Sequence, residues 1–414
     1  MAEGTLDIEF FGRLAGVLRR KDNGNLQFRY DPGYIESKGP PLSINLPVRK
    51  DAYPHRDCLA FFGNLLPEED VRKQIALTTG ISVANDYKLL ERLGGDVAGA
   101  VTLTPSGKEG DKKTEGRLEE LSPQRLDQVL TELPQRPLAT DKEGEVRMSL
   151  AGAQSKLPVV ELPGGAFALP HSSDLPTTHI IKPEPAGLPG LVRNEFFCMR
   201  LAAEVDLSVA DVRRAETISG LPILIVTRYD RDLTQEPIRR LHQEDLCQAL
   251  GKLHIEKYQQ EGGPTVAEAM SLIDAESAVP ARDRQRLWFG LLFNILIGNC
   301  DAHGKNYSLL YDSEAPNLSP FYDLVSTAAY PELTTRLAMS IDGAIRLEEV
   351  DLPAFRELAE EVGFAPRFLE QRLLPFVEAV LDAAERLTRE PEHVDPVVDQ
   401  IVTEIGARAE RLRA

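Results

Sequence analysis

The stretch from Trp288 to Thr327, WFGLLFNILIGNCDAHGKNYSLLYDSEAPNLSPFYDLVST, constrains this chain more than any other part of it. An apolar run from Leu287 to Ile297 feeds a polar loop holding Asp301, His303, Lys305 and Asn306. A short β-type segment, Tyr307 to Tyr311, follows, then turn residues from Asp312 to Asn317. The chain returns through Leu318 to Tyr322 and ends on a second acid, Asp323. That pattern predicts strand, turn and strand with a carboxylate at each end.

The spacing has a chemical meaning. An Asp with an Asn five residues later, Asp301 and Asn306, matches the protein-kinase catalytic loop. There the Asp takes the proton of the substrate hydroxyl and the Asn holds Mg²⁺. Asp323 stands where a second metal-binding Asp is needed across a short hairpin. Mg²⁺ is a hard cation that takes one or two carboxylates plus phosphate oxygens and water, so Asn306 and Asp323 beside ATP suffice. Lys305 is available to neutralise charge on a transferring phosphoryl group. The same residues also arise as turn chemistry or helix caps, so the rest of a nucleotide site must be found elsewhere in the chain.

Composition narrows the setting. The 414 residues suffice for two or three domains, and the formal net charge is −18. A body this acidic repels a phosphate backbone, so DNA contacts by this chain alone would need a local basic patch. No apolar run reaches the roughly 20 residues of a membrane span, and no secretory leader is visible, which predicts a cytoplasmic protein. Cys58, Cys198, Cys247 and Cys300 are scattered and fit reduced, mostly buried thiols.

Residues 1–104 read as a small α/β domain. Leu6–Phe11 and Leu26–Tyr30 alternate like strands, with Asp22–Asn25 as a turn. Pro41–Pro47 reads as a short extended piece and Val97–Leu103 as a closing strand. Leu59–Ile75 and Ile81–Leu93 have helical spacing, the second stopped by Gly94-Gly95. Residues 105–145 read as a linker, with one possible helix over Leu118–Leu133. A nucleotide-binding lobe over 146–240 and a helical catalytic lobe over 241–414 complete the division. The helices expected in the last lobe are Gln243–Leu253, Val266–Leu272, Ala281–Ile297, Leu352–Val362, Pro366–Leu387 and Val394–Leu412.

Three further segments carry nucleotide-type signals. RMSLAGAQSKLPVVEL begins at Arg147, and the small residues Ser149, Ala151, Gly152 and Ala153 precede Gln154, Ser155 and Lys156. Small side chains let backbone N–H groups approach phosphate oxygens, although a tight turn before a strand explains them too. Lys182 ends the extended segment TTHIIKP, like the kinase strand lysine that pairs the α/β-phosphates, and Glu195 in the helix Leu191–Glu204 could orient it. Ala210–Ile218 and Pro222–Tyr229 read as a hairpin whose end, Thr227-Arg228-Tyr229, offers an adenine backbone groups and an aromatic ring. Strands, a phosphate-type loop, a lysine strand, a hinge-like segment and then helices around Asp301 follow the order of a bilobal kinase. The expected fold is α+β and protein-kinase-like, with a mixed α/β N-terminal lobe and a mostly helical C-terminal lobe.

In order, Ser149–Gln154, His179–Lys182, Gln243–Gln248, Ile297–Asn306 and Pro320–Ser326 resemble the HipA family of bacterial serine/threonine kinase toxins. Phe61–Pro67 resembles that family's N-terminal subdomain, so the resemblance spans nearly the whole chain. It implies Asp301 as catalytic base and Asn306 and Asp323 as Mg²⁺ ligands. Ala151, Gly152, Ala153, Gln154, Ser155 and Lys156 would line the ATP phosphates with Lys182. Thr227, Arg228 and Tyr229 would hold the adenine, and His303, Gly304, Lys305 and Tyr322 would also face the nucleotide. Ser149 would be the autophosphorylation site, since a phosphoserine carries nearly two negative charges and cannot sit where ATP phosphates bind.

The resemblance also implies partners. A small helix-turn-helix antitoxin of the HipB type would neutralise the toxin and supply most contacts to operator DNA. An aminoacyl-tRNA synthetase would be the protein substrate, and growth arrest and persistence the outcome. This chain has Ser155 where the family often has an acid, which leaves Ser149 and Ser155 as rival modification sites, and Thr227 where a Glu is common. Two other functions fit parts of the pattern. One is a small-molecule phosphotransferase of the aminoglycoside type, although no H-G-D precedes the loop. The other is a corepressor that retains the fold with little catalysis.

Overall fold

The computed structural model describes residues 4–107, 117–135, 137–139, 155–171, 175–312 and 315–413. The chain forms two units and passes between them more than once. Unit one is Met1–Pro183 with Ala215–His254; unit two is Glu184–Arg214 with Ile255–Ala414.

Unit one opens with an antiparallel sheet ordered Leu26–Tyr30, Arg13–Arg20, Gly4–Phe10, Val101–Pro105. Alternation along the first strand sends Leu6, Ile8 and Phe10 inward, as a period of two requires. Gly24 takes a left-handed φ of 86° in the connecting turn, where Gly24 N–H donates to the Lys21 carbonyl at 2.9 Å. Pro41–Pro47 is no strand: a single bridge between Ser43 and Leu46 folds it back on itself. The expected helix Leu59–Ile75 is also interrupted. Helix His55–Phe62 runs into a 3₁₀ turn, Gly63–Leu65, and a new helix starts only at Glu69. Pro67 is the reason, since the residue before a proline is pushed out of the helical region and Leu66 sits at ψ 154°.

A second sheet runs Leu118–Leu121, Phe167–Pro170, Leu157–Glu161, His179–Pro183, Pro222–Thr227, Val212–Glu216. Its last strand brings the chain back into the unit. Leu118–Leu133 is therefore a strand followed by the helix Pro123–Glu132 and not one helix. Ser122 caps that helix by accepting from Arg125 N–H at 3.2 Å, and Pro123 suits the first helical position. Leu157, Val159, Ile181, Ile223 and Ile225 form its core with Leu130 and Leu133.

The expected helix Gln243–Leu253 is instead a strand, His242–Asp245, with one helical turn, Leu246–Ala249. Asp245 and Gln248 cap that turn reciprocally, at 2.8 and 2.9 Å. His242 is buried, sits edge-on to Phe10 at 4.6 Å and pairs through Nε2 with the Leu42 carbonyl at 2.9 Å. Burial drives its pKa down to about 4, against the opposing pull of the Leu42 carbonyl and Asp230. The folded state thus keeps it neutral, while the unfolded chain takes up a proton below about pH 6.5. Stability is expected to fall as pH drops from about 6.5 towards 4, and His242→Gln should flatten urea midpoints measured across that window.

Unit two is mainly helical: Leu191–Glu204, Val266–Glu276, Pro280–Ile297, Leu352–Glu361, Pro366–Leu387 and Pro396–Arg413. From Leu287 to Ile297 every residue of the third helix is buried, and a helix that is apolar all round is a core helix. Trp288 packs edge-on against Phe355 at 5.6 Å. A Cβ at Gly290 would lie 2.3 Å from the Phe321 ring, so glycine there lets the returning chain lie on the helix. A hairpin, Arg336–Ile341 with Ala344–Arg346, also belongs to this unit and was not foreseen from the sequence.

All four cysteines are buried, and none of them forms a disulfide. Among the described residues no helix is long and apolar enough to cross a membrane.

Candidate active site

The loop after Ile297 is shaped by side chains that replace a missing helical ladder. Gly298 ends the helix at φ 74°, ψ 38°, with its N–H returned to Asn294 and Ile295 carbonyls. A Cβ at Gly298 would sit 2.8 Å from both Ala328 Cβ and Arg408 Nη2. Gly298→Ala is therefore expected to destabilise unit two by about 1–3 kcal/mol, read from urea unfolding, through left-handed strain and overpacking together.

Beyond Gly298 an asparagine relay fixes the path. Asn294 Nδ2 donates to Gly290 O at 2.9 Å and Tyr307 Oη at 3.1 Å, and its Oδ1 accepts from Asn299 Nδ2 at 2.8 Å. Asn299 Oδ1 accepts from Asp301 N–H at 3.2 Å, an Asx-type turn that aims the next residue. Thr327 closes the other side: its Oγ1 accepts from Cys300 N–H at 2.8 Å and donates to Gly298 O at 3.1 Å.

Asp301 stands exposed at the tip of this turn. Its Oδ1 accepts from Tyr258 Oη at 2.7 Å. Gly304–Asn306 then forms a 3₁₀ turn whose start is capped by both side chains: His303 Nδ1 accepts from Lys305 N–H at 3.3 Å, and Asn306 Oδ1 from His303 N–H at 3.2 Å. Asp301 and Asn306 thereby lie on two consecutive turns, joined by His303 N–H donating to the Asp301 carbonyl at 2.8 Å.

The hairpin that follows pairs Leu309 with Leu318 and Leu310 with Asn317. Helix Pro280–Ile297 holds its return: Asp283 accepts from Leu318 N–H at 2.8 Å, and Arg286 donates to Leu318 O at 2.7 Å and Ser319 O at 3.0 Å. Tyr322 Oη donates to Lys305 O at 2.7 Å, which ties the returning segment to the loop through the tyrosine side chain. Asn299 Nδ2 reaches Asp323 O at 3.5 Å. Asp323 has φ +54°, a left-handed conformation that is costly for a residue with a Cβ. Beyond it, Asn194 grips Ser326 on both backbone groups, at 2.8 and 2.9 Å.

Unit two thus brings together Asp301, His303, Gly304, Lys305, Asn306, Tyr322 and Asp323. Of these, Asn306 and Asp323 offer hard oxygens, and Asn306 Oδ1 keeps a second lone pair beyond the one given to His303 N–H, which is donor chemistry that suits Mg²⁺. Tyr258, Asn294, Asn299, Thr327 and Asn194 were missed by sequence reasoning. Asn299, two residues before Asp301, carried a readable Asx signal; the others act across distances in sequence that no local pattern reports.

The remaining site residues lie in unit one. Lys182 is buried in the strand His179–Pro183, opposite Leu224 of Pro222–Thr227, and Thr227 pairs with His179. Glu195 belongs to unit two. Lys156 stands just before the strand Leu157–Glu161, with Ser155 next to it. Ser149, Ala151, Gly152, Ala153 and Gln154 lie outside the described residues.

The Arg228 side chain is turned into the fold. Its guanidinium is buried against Asp230 at 2.7 and 2.9 Å, Thr177 Oγ1 at 2.8 Å and Val97 O at 3.0 Å, so it is committed within the fold. Asp96 joins the same cluster, accepting from Thr177 Oγ1 at 2.6 Å, Arg231 at 2.9 Å, Arg240 at 3.1 Å and Arg228 at 3.3 Å. Burial alone would raise the Asp96 carboxyl, but Arg231, Arg228 and Arg240 outweigh it and hold it well below the usual carboxylate range. Asp96 follows a helix-ending Gly94-Gly95, where only a cap was expected; the buried cluster is what that segment delivers. Tyr229 hydrogen-bonds Gln243 through its hydroxyl.

A β-rich unit with a buried strand lysine, and a helical unit with an Asp-x₄-Asn loop and a returning Asp, make an α+β protein with the HipA kinase fold. The chain belongs to the HipA family: residues 6–104 match the HipA N-terminal domain and residues 148–386 the HipA-like C-terminal domain. It is 40% identical over 423 residues to a Sinorhizobium fredii protein named "Putative kinase Y4mE", across 100% of this chain and 99% of that one. It is 32% identical over 319 residues to the serine/threonine-protein kinase toxin HipA of Shewanella oneidensis, across 74% and 71%. In the solved complex of Shewanella oneidensis HipA, HipB and operator DNA, the matching chain superposes with a TM-score of 0.84 at 28% identity, over 99% of this chain and 97% of that one.

Proposed function

We propose that this chain is an ATP-dependent serine/threonine kinase toxin, neutralised by a HipB-like antitoxin with which it represses its own operon. The observation that carries the reading is the Asp301–Asn306 loop, capped at His303 and Asn306, with the returning segment tied to it by Tyr322 Oη on the Lys305 carbonyl and by Asn299 Nδ2 on the Asp323 carbonyl. Asp301 accepts the proton of an incoming serine or threonine hydroxyl as that oxygen attacks the γ-phosphorus. Lys305 offsets charge on the transferring group, and Lys182, with the loop Ala151–Lys156, holds the other phosphates. The backbone of Thr227–Tyr229 meets the adenine, while the Arg228 side chain keeps that strand end in place. Mg²⁺ held by Asn306 and Asp323 would neutralise phosphate oxygens when ATP binds.

Ser149, with Ser155 as its rival, is the self-modification site that switches the enzyme off. The cellular substrate is a translation factor of the aminoacyl-tRNA synthetase class. Support for the antitoxin comes from HipB in the Shewanella complex and from the net charge of −18, which leaves phosphate contacts to a second protein.

The test is incubation of the purified chain with Mg²⁺ and γ-labelled ATP, beside induction in a bacterial host with and without the neighbouring antitoxin gene. Label on the chain, growth arrest without antitoxin and relief with it are expected. No label on the chain or on any lysate protein, whatever the antitoxin level, sinks the kinase reading. Operator binding by the pair in that case supports the corepressor.

A further inference from the structure

We infer that Tyr258 is a positioning residue for the catalytic base: its hydroxyl fixes the Asp301 carboxylate in the rotamer that receives the acceptor hydroxyl. This rests on the kinase reading of Asp301 above. The observation is the 2.7 Å bond from Tyr258 Oη to Asp301 Oδ1. A side chain exposed at a loop tip has freedom about both of its torsions, and a base serves only when its oxygen faces the attacking hydroxyl. A bond to one carboxylate oxygen removes that freedom and leaves the other oxygen's lone pairs for the substrate proton.

Tyr258 is itself held on several sides, which is what makes it a support. Its ring stands edge-on to His303 at 5.3 Å, within the same capped turn as Asn306. The preceding residue fixes the backbone, because the Lys257 carbonyl accepts from Gly304 N–H at 3.2 Å. Behind it, the Tyr258 carbonyl accepts from Glu261 and Gly263 N–H, each at 2.9 Å. A Cβ at Gly263 would lie 2.5 Å from Glu256 O and 2.7 Å from Tyr258 O, so the turn closes this tightly only with glycine there. The next residue, Gln259, anchors the segment to the strand Arg336–Ile341: Ser340 N–H donates to Gln259 Oε1 at 2.8 Å, and Gln259 Nε2 to Ser340 Oγ at 2.9 Å. The segment Lys257–Gln259 thus links the far hairpin to the base.

The test measures label transfer from Mg²⁺-ATP onto the full-length chain for wild type, Tyr258→Phe, Asp301→Asn and the double variant. Tyr258→Phe should cut the rate at saturating ATP roughly tenfold, the equivalent of one hydrogen bond, and leave the half-saturating ATP concentration within about twofold. In the Asp301→Asn background the same change should cost almost nothing, since coupled residues are non-additive. An equal loss in both backgrounds, or a loss confined to half-saturation, overturns the assignment. Should Asp301→Asn itself leave the rate intact, the kinase reading of Asp301 fails; a silent Tyr258→Phe beside a dead Asp301→Asn removes only the role of Tyr258.

Discussion

Asp301→Asn is expected to lower phosphate incorporation by roughly 10²–10⁴-fold, the usual contribution of a positioned general base. The amide keeps an oxygen to accept from Tyr258 Oη but has no useful basicity for the acceptor proton. The side chain is exposed and buries no apolar surface, so urea unfolding should move by no more than about 0.5 kcal/mol. Growth arrest on induction should vanish with the label. Activity retained within tenfold of wild type, in a folded protein, would remove Asp301 from the chemistry and favour the corepressor.

The second large effect concerns stability. Asp96→Ala leaves Arg228, Arg231 and Arg240 gathered around a void, with Asp230 still paired to Arg228 and Arg231. Breaking a buried ion network from one side costs about 3–5 kcal/mol, and here the strand end carrying Thr227–Tyr229 loses its anchor as well. Denaturation curves for unit one should show that loss. The pH dependence has a definite sign. The folded Asp96 carboxyl is held below its unfolded value, so its contribution is present at neutral pH, above the ordinary carboxylate pKa. It fades as pH falls through that range and below it. Asp96→Asn should therefore start from lower stability at pH 7 and lose less on acidification than wild type does. Parallel acid profiles for the two proteins would show that the cluster does not stabilise through charge.

Much of the site was legible because its chemistry is local. Asp301 to Asn306 is one short loop, and the hairpin behind it is spelled by an apolar pair of segments around Asp312–Asn317. The helices Leu191–Glu204 and Pro366–Leu387 match their expected bounds because period and stop signals agree there. Errors arose where a local rule met a stronger one. Pro67 broke a run whose spacing was helical on both sides. Ser122-Pro123 is a helix start that also ends a strand, and a helix over Leu118–Leu133 merged the two. His242–Asp245 has residues tolerated in a helix and becomes extended through its tertiary setting. The buried partners of the Arg228 side chain, Asp96, Thr177 and Val97 among them, lie far away in sequence and no local pattern reports them. Tyr258 could not be paired with Asp301 by any period or spacing.

Arg408 has a bearing on when the chain becomes competent. From the helix Pro396–Arg413 its Nε donates to the Leu296 carbonyl at 2.8 Å, at the end of the helix that delivers Asp301, and its guanidinium fills the space against Gly298. On the ribosome, Asp301 and Asn306 emerge long before this support does. A nascent chain ending short of Pro396 has every residue of the Asp301–Asn306 loop and none of the Arg408 buttress beneath it. Synthesis order therefore leaves that loop without its support until the helix Pro396–Arg413 docks.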